Sequence, residues 1–170
     1  MAKIKTPNQK KAYRELAKRI NIYTKRILAI YTVLANEAAK VAISAGYDGD
    51  KEFSFDNYPK TKRKVNSLLD FYAENMQTVV YSGITEEWEN SNTFQDLLVR
   101  RIIKAYTKRI GDKRVKRYYE HNNSAKEAFK KRTINGMNLS QRIWNQREDV
   151  KKSLERALST GIEKGMSAVN

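Results

Sequence analysis

Cysteine and histidine, which carry much of the covalent and metal chemistry of proteins, are almost missing from this sequence. The sequence has no cysteine and one histidine, His121, which lies in the polar stretch His121-Asn122-Asn123. Zinc sites need several His, Cys or carboxylate ligands at regular spacing, and the sequence contains neither a Walker loop nor a G-x-G-x-x-G fingerprint. The sequence therefore predicts a protein that is not an enzyme, with no catalytic residue, no metal site and no cofactor.

One carboxylate cluster supports an alternative prediction, a nuclease that binds Mg²⁺. Glu86, Glu87 and Glu89 surround Trp88, and grouped carboxylates can hold Mg²⁺ in a nuclease. The interpretation we favour is that these residues form the solvated end of a helix.

Basic residues dominate the chain and are unevenly distributed. There are 34 Lys and Arg against 19 Asp and Glu, a net charge of +15 over 170 residues. The net charge is +8 over residues 1–40, −5 over 41–98, +10 over 99–132 and +2 over 133–170. Such a surplus favours contact with polyanions or with an acidic protein surface.

The local excess includes a set of candidate nucleic-acid contacts, which we call the basic strip. Its members are Arg100, Arg101, Lys104, Lys108, Arg109, Lys113, Arg114, Lys116 and Arg117. Lysine and arginine neutralise phosphates and release counterions, so this binding would be independent of sequence and sensitive to salt. Tyr106, Tyr118 and Tyr119 are interleaved and could stack on unpaired bases, although we favour packing in the core for them. A solvated helix face is the open alternative for the strip.

The chain is built for helices, since it has only seven Gly and two Pro. Thr6 and Pro7 predict the start of a first helix over residues 7–45, about 57 Å long. Its apolar residues recur at alternating spacings of three and four, which is typical of a coiled coil and predicts a partner seam. The seam consists of Tyr13, Leu16, Ile20, Tyr23, Ile27, Ile30 and Leu34.

Five further elements follow from capping and periodicity signals. Lys51 to Phe55 alternates as a weak strand candidate. Tyr58-Pro59 begins a second helix with an apolar stripe at Val65, Leu69, Tyr72, Met76, Val79 or Val80, and Ile84. Asn92-Thr93 marks the start of a third helix, and Ser124 caps a short helix that runs through about Lys131. After an Asn135-Gly136 turn, Ser140 caps a final helix that ends near Gly161 to Gly165. The predicted fold is all-α, an elongated bundle of long helices with a coiled-coil-like first helix and short C-terminal helices.

Two further observations bear on partners. The cluster Lys60-Thr61-Lys62-Arg63-Lys64 lies at a helix N-terminus, where cations are unfavourable, and this placement suggests a partner rather than intrinsic stability. No apolar run approaches transmembrane length and the first residues lack a signal-peptide core, so we expect no membrane association.

The last third of the chain resembles a known family. Asn135-Gly136-Met137-Asn138-Leu139-Ser140-Gln141-Arg142-Ile143-Trp144 is similar to the start of the shared domain of Mu F-like phage head-morphogenesis proteins, also called minor capsid proteins. A second element of that family, Gly-Ile/Leu-x-x-Gly-x-Ser, appears as Gly161-Ile162-Glu163-Lys164-Gly165-Met166-Ser167. The resemblance divides the chain into a helical region over 1–134 and the start of a head-morphogenesis-like domain over 135–170, which is apparently truncated relative to the family.

The resemblance implies a few-copy internal head protein that associates with the phage portal or capsid protein and can contact double-stranded DNA. Its location would be the virion, and the host cytoplasm during assembly. Two other functions remain open from the residues alone. The basic strip could belong to a stand-alone nucleic-acid-binding protein of a mobile element, or the seam could make the chain a helical adaptor that forms a homo-oligomer.

Overall fold

A computed structural model of the protein describes residues 8–44, 53–106 and 123–163. Within these residues the α-helices are α1 (Gln9–Ile43), α2 (Pro59–Tyr106), α3 (Asn123–Lys131) and α4 (Leu139–Glu163), and a 3₁₀ turn at Phe55–Asn57 precedes α2. In these residues the only β-type pairing is one isolated antiparallel bridge, between Ile134 and Met137. The all-α prediction is confirmed for the described part of the chain.

The first helix begins slightly later than the sequence predicts. Asn8 is its N-cap, because the side-chain Oδ1 of Asn8 accepts a hydrogen bond of 3.1 Å from the backbone N–H of Lys11. Asparagine is among the best N-cap residues. The predicted cap, Thr6, and the predicted first helical residue, Pro7, both lie outside the described residues. The helix runs for 35 residues.

The second helix runs for 48 residues without a break. Prediction of a separate helix starting at Asn92-Thr93 was wrong, since both residues lie within α2. The residues there are polar but include neither proline nor glycine, and each lowers helix stability by only about 0.7 kcal/mol or less. Earlier in the same helix, the hydroxyl of Thr85 donates a hydrogen bond of 3.0 Å to the backbone carbonyl of Tyr81. An Asn or Thr acts as an N-cap only where the backbone before it is not helical.

The segment before α2 is a tight turn. Ser54 is extended, with φ −139° and ψ 140°, and its hydroxyl accepts from the backbone N–H of Asp56 at 3.3 Å. The chain then turns into the 3₁₀ helix, and the described residues of the strand candidate, 53–55, pair with no other strand. Phe53 and Phe55 are both buried, at 3% and 1% exposure, so their alternation reflects burial of two rings.

The turn before α4 forms as predicted. Asn135 and Gly136 both have positive φ, 52° and 75°, and Ile134 and Met137 exchange two backbone hydrogen bonds of 2.9 and 3.2 Å. Asn and Gly are the residues that adopt this left-handed pair with least strain.

The cap of α4 is Asn138, which corrects the predicted Ser140. Asn138 Oδ1 accepts from the backbone N–H of Gln141 at 2.9 Å, and Gln141 Oε1 accepts from the backbone N–H of Asn138 at 2.8 Å. This reciprocal pair is a capping box. Helix α3 likewise begins at Asn123, so Ser124 is its second residue, and Gly161 lies inside α4, which continues to Glu163.

The chain divides into two compact units. Unit 1 consists of residues 1–23 and 80–132, and unit 2 of residues 24–79 and 133–170. The buried apolar side chains among the described residues all belong to unit 2. They are Leu34, Ala38, Ala42, Phe53, Phe55, Val65, Leu69, Tyr72, Ala73, Met76 and Ile143. The predicted stripe of α2 is thus confirmed at Val65, Leu69, Tyr72 and Met76.

Candidate partner-binding surface

The predicted seam on α1 is covered to different degrees along its length. In unit 1, Tyr13 and Ile20 are 70% and 53% exposed, whereas Leu16 and Tyr23 are half-buried. In unit 2, Ile27 and Ile30 are half-buried and Leu34 is buried. The seam is therefore partly used inside the chain itself, and an intermolecular coiled coil along all seven positions would need that packing to open.

In unit 1 the seam region is joined to α2 by polar contacts. Arg19 donates to both carboxylate oxygens of Glu87, at 2.5 Å from Nε and 3.0 Å from Nη2. The hydroxyl of Tyr23 donates to Glu86 at 2.5 Å. Burial, followed by this hydrogen bond, raises the pKa of Tyr23 to about 12. The bond to Glu87 raises the pKa of Arg19 above its ordinary value.

These contacts give two members of the carboxylate cluster a structural partner. Glu86 and Glu87 each engage a side chain of α1, so the interpretation of the cluster as a purely solvated helix end needs correction. Within the described residues no group of three or more His, Cys, Asp or Glu is placed to hold a metal ion.

Unit 2 contains an apolar open surface, a groove between α1 and α2 that we call the open groove. Its volume is about 390 Å³, and only two of its lining residues, Glu37 and Asn75, have charged or amide side chains. The other lining residues are Ala29, Ile30, Val33, Leu34, Leu68, Phe71 and Tyr72. Val33 and Phe71 are the large apolar lining residues that are exposed, at 54% and 59%. Exposed apolar side chains that are grouped in a concave surface are typical of a protein-binding site.

Helix α4 packs beside the same helix pair in unit 2. Arg147 of α4 forms an ion pair of 3.0 Å with Asp70 of α2. Trp144 donates from Nε1 to the side-chain oxygen of Gln77 at 3.3 Å, and Ile143 is buried at 5% exposure. These contacts fix α4 through its polar groups as well as its apolar face.

The residues of the two-part motif act mainly in folding. Ile143 is a core residue, while Leu139 and Trp144 are half-buried. Ser140 lies 3.4 Å from the side-chain oxygen of Gln77. Arg142 has a buried Nε without a hydrogen-bond partner in the part of the chain that the structure describes.

The basic strip is described only at its beginning. Arg100 and Arg101 lie on α2 with exposed side chains, and Lys104 lies in the last turns of that helix. Lys108, Arg109, Lys113, Arg114, Lys116 and Arg117 lie outside the described residues, as do Tyr118, Tyr119 and His121. The strip therefore stays a prediction from sequence.

Sequence reasoning missed the open groove. Ile30 and Leu34 were part of the predicted seam, but Val33, Leu68 and Phe71 fall beside the stripes that were assigned to the core. The available signal was the second apolar residue next to each stripe position, such as Phe71 beside Tyr72. That signal identifies a wide apolar face without showing which part of it remains uncovered.

Among the described helices none has the length and apolar character needed to cross a membrane. Comparison of the chain with protein-family models, with curated proteins and with solved structures finds no match.

Proposed function

We propose that this protein is a structural and assembly component of a phage head, a minor head protein that associates with the portal or capsid protein. The observation that carries the proposal is the two-part motif in residues 135–144 and 161–167. It is supported by the local structure of its first part, where an Asn-Gly turn, a capping box and a buried Ile143 begin α4.

The surface of the described helices is compatible with such a role. An assembly protein works by binding other proteins, and unit 2 offers an apolar groove with Val33 and Phe71 exposed. The net charge of +15 additionally favours acidic protein surfaces and DNA. The proposal rests on the motif and on these surfaces.

The test uses a portal protein encoded beside this chain. The neighbouring genes are examined first, and a portal or terminase gene is expected there. The purified full chain is then offered to the portal protein and, in parallel, to DNA at low and moderate salt. Portal binding that persists at moderate salt supports the proposal, because apolar contacts are not screened. Binding to DNA alone that disappears as salt rises contradicts it.

A stand-alone nucleic-acid-binding protein is the second candidate, because the net charge over residues 99–132 is +10 and Arg100 and Arg101 are exposed. Replacing Arg109, Lys113, Arg114 and Arg117 together by Gln should then weaken DNA binding and flatten its dependence on salt concentration. An unchanged salt slope would exclude the strip as the DNA-binding surface.

A further inference from the structure

The helix pair in unit 2 has more than one side on which a third helix can pack. One side carries contacts to α4, where Tyr31, Leu34 and Ala35 of α1 line a cleft with Val150 and Leu154 of α4. Asp70 of α2 pairs there with Arg147 of α4. The open groove lies on another side of the same two helices and is lined by residues of α1 and α2 alone.

The shape and lining of the open groove suit a helix. Two packed helices leave a furrow between them into which the side chains of a third helix fit at regular spacing. Ile30 and Val33 form one wall and Leu68 and Phe71 the other. An amphipathic helix places apolar residues at spacings of three and four into such a groove. Among the lining residues, those that project most are apolar, so the occupant must present an apolar stripe.

One end of the open groove carries positive charge. Lys64 lies four residues before the lining residue Leu68, and Lys60 four residues before Lys64, so all three share one face of α2. Both lysines are exposed. On α1, Lys40 bonds to the lining residue Glu37 at 2.7 Å, which occupies that carboxylate.

Within the first turn of α2, no acidic side chain balances this positive charge, although a helix N-terminus favours negative charge through its unpaired N–H groups. Lys62 is paired with Asp56, and that pairing raises the pKa of Lys62 above its ordinary value. Helix dipole and lysine side chains thus both attract an anionic group to this end.

From these observations we propose that the open groove binds an amphipathic α-helix of another protein, with an apolar stripe and acidic residues on its flanks. The apolar stripe packs between Val33 and Phe71, and the acidic flank faces Lys60 and Lys64. The inference deepens the proposed function, since it specifies the contact through which a partner would be held. It does not require that the partner be a portal protein.

The experiment uses the full chain and two designed peptides of about 20 residues, long enough to form a helix on binding. Both repeat leucine at spacings of three and four; one has glutamate at the flanking positions and the other has lysine. Fluorescence anisotropy of the labelled peptides measures their affinity. We expect the glutamate peptide to bind and the lysine peptide to bind at least about tenfold more weakly, since each unfavourable charge contact lowers affinity.

Matched variants identify the groove as the site. Phe71→Ser should weaken the glutamate peptide about tenfold or more, because it removes an apolar anchor. Leu28→Ser is the control, since Leu28 is exposed to a similar degree, 57% against 59%, but does not line the groove. Equal effects of these two variants would overturn the proposal.

A charge variant separates binding from folding. Lys60→Glu with Lys64→Glu introduces acids near the start of α2, which the helix dipole favours, so the fold should be retained. Binding of the glutamate peptide should fall, whereas Lys152→Glu at an exposed position of α4 should leave it unchanged.

Three other outcomes would overturn the inference. They are equal binding of both peptides, no binding of either, and self-association of the chain that Phe71→Ser abolishes, which would assign the groove to a second copy. Portal binding that is insensitive to Phe71→Ser would leave the proposed function intact and contradict only this inference. Peptide binding without portal binding would do the reverse.

Discussion

The carboxylate of Glu155 should contribute measurably to the stability of unit 2. Its Oε1 accepts from the hydroxyl of Ser54 at 2.8 Å and from the backbone N–H of Phe55 at 2.6 Å. It thereby ties α4 to the turn before α2, where Phe53 and Phe55 are buried. Glu155→Ala removes the acceptor of both hydrogen bonds at once and leaves the backbone N–H of Phe55 without this partner.

The magnitude follows from the two hydrogen bonds. A hydrogen bond to a charged group contributes about 1.5–3 kcal/mol. The hydroxyl of Ser54 is on a half-buried residue and can turn to water, so the amide of Phe55 carries most of the loss. We therefore expect Glu155→Ala to lower the free energy of unfolding by about 2–3 kcal/mol. Glu155→Gln keeps an acceptor oxygen without the charge and should cost about half as much.

The assay combines global and local measurements. Urea unfolding gives the midpoint and slope, and a shifted midpoint at constant slope reports stability alone. Hydrogen exchange at the amide of Phe55 should accelerate in Glu155→Ala. The control is Glu148→Ala, at an exposed carboxylate of the same helix, which should change stability by no more than about 0.5 kcal/mol. Equal losses in the two alanine variants, or unchanged exchange at Phe55, would refute the reasoning.

Three further predictions concern other contacts. The difference between the absorbance titrations of wild type and Tyr23→Phe should show a phenol that ionises near pH 12 and not near 10.0. Because the folded state keeps this proton to higher pH than the unfolded state, the free energy of unfolding should fall as pH rises through that interval. Ionisation near pH 10.0 would contradict the burial of Tyr23. A double-mutant cycle of Arg19→Met and Glu87→Gln should give a coupling of about 1 kcal/mol, with a value near zero contradicting the bidentate pair. In thermal unfolding, Gly83→Ala should stabilise the folded protein by about 0.5–1 kcal/mol, because glycine within a helix is less favourable than alanine. The added Cβ meets the ring of Tyr23 at an ordinary contact distance of 3.5 Å. Gly136→Ala should destabilise by about 1 kcal/mol because its φ is +75°, and effects of equal sign would contradict this pair.

The helices were predictable where the apolar period is long and uninterrupted. The stripe at Val65, Leu69 and Tyr72 was assigned correctly because helical geometry forces residues at these spacings onto one face. The continuity of α2 was not predictable from Asn92 and Thr93, because a capping residue and an ordinary helical residue have the same identity in sequence. Only the backbone conformation distinguishes the two, and that depends on whether tertiary contacts extend the helix past them.

The open groove shows a second limit of sequence reasoning. Periodicity identifies the apolar face of each helix, but the exposure of Phe71 depends on which neighbouring helix covers that face. In unit 2, α4 packs against the pair formed by α1 and α2 at the place where Arg147 can reach Asp70. Charged residues next to an apolar stripe therefore help to determine on which side of a helix pair another helix packs. The sequence alone does not show which of these charged residues form pairs.

The motif that suggests the function and the surface that would perform it are different parts of unit 2. Ile143 is in the core, and Asn138 and Gln141 cap α4, so changes at these positions should act through folding. Phe71 is exposed in the open groove, so its replacement should act on binding at little cost in stability. Substitutions in the motif would thus weaken partner binding only in proportion to the unfolded fraction. A motif variant that loses binding while it keeps full stability would show instead that the motif itself contacts the partner.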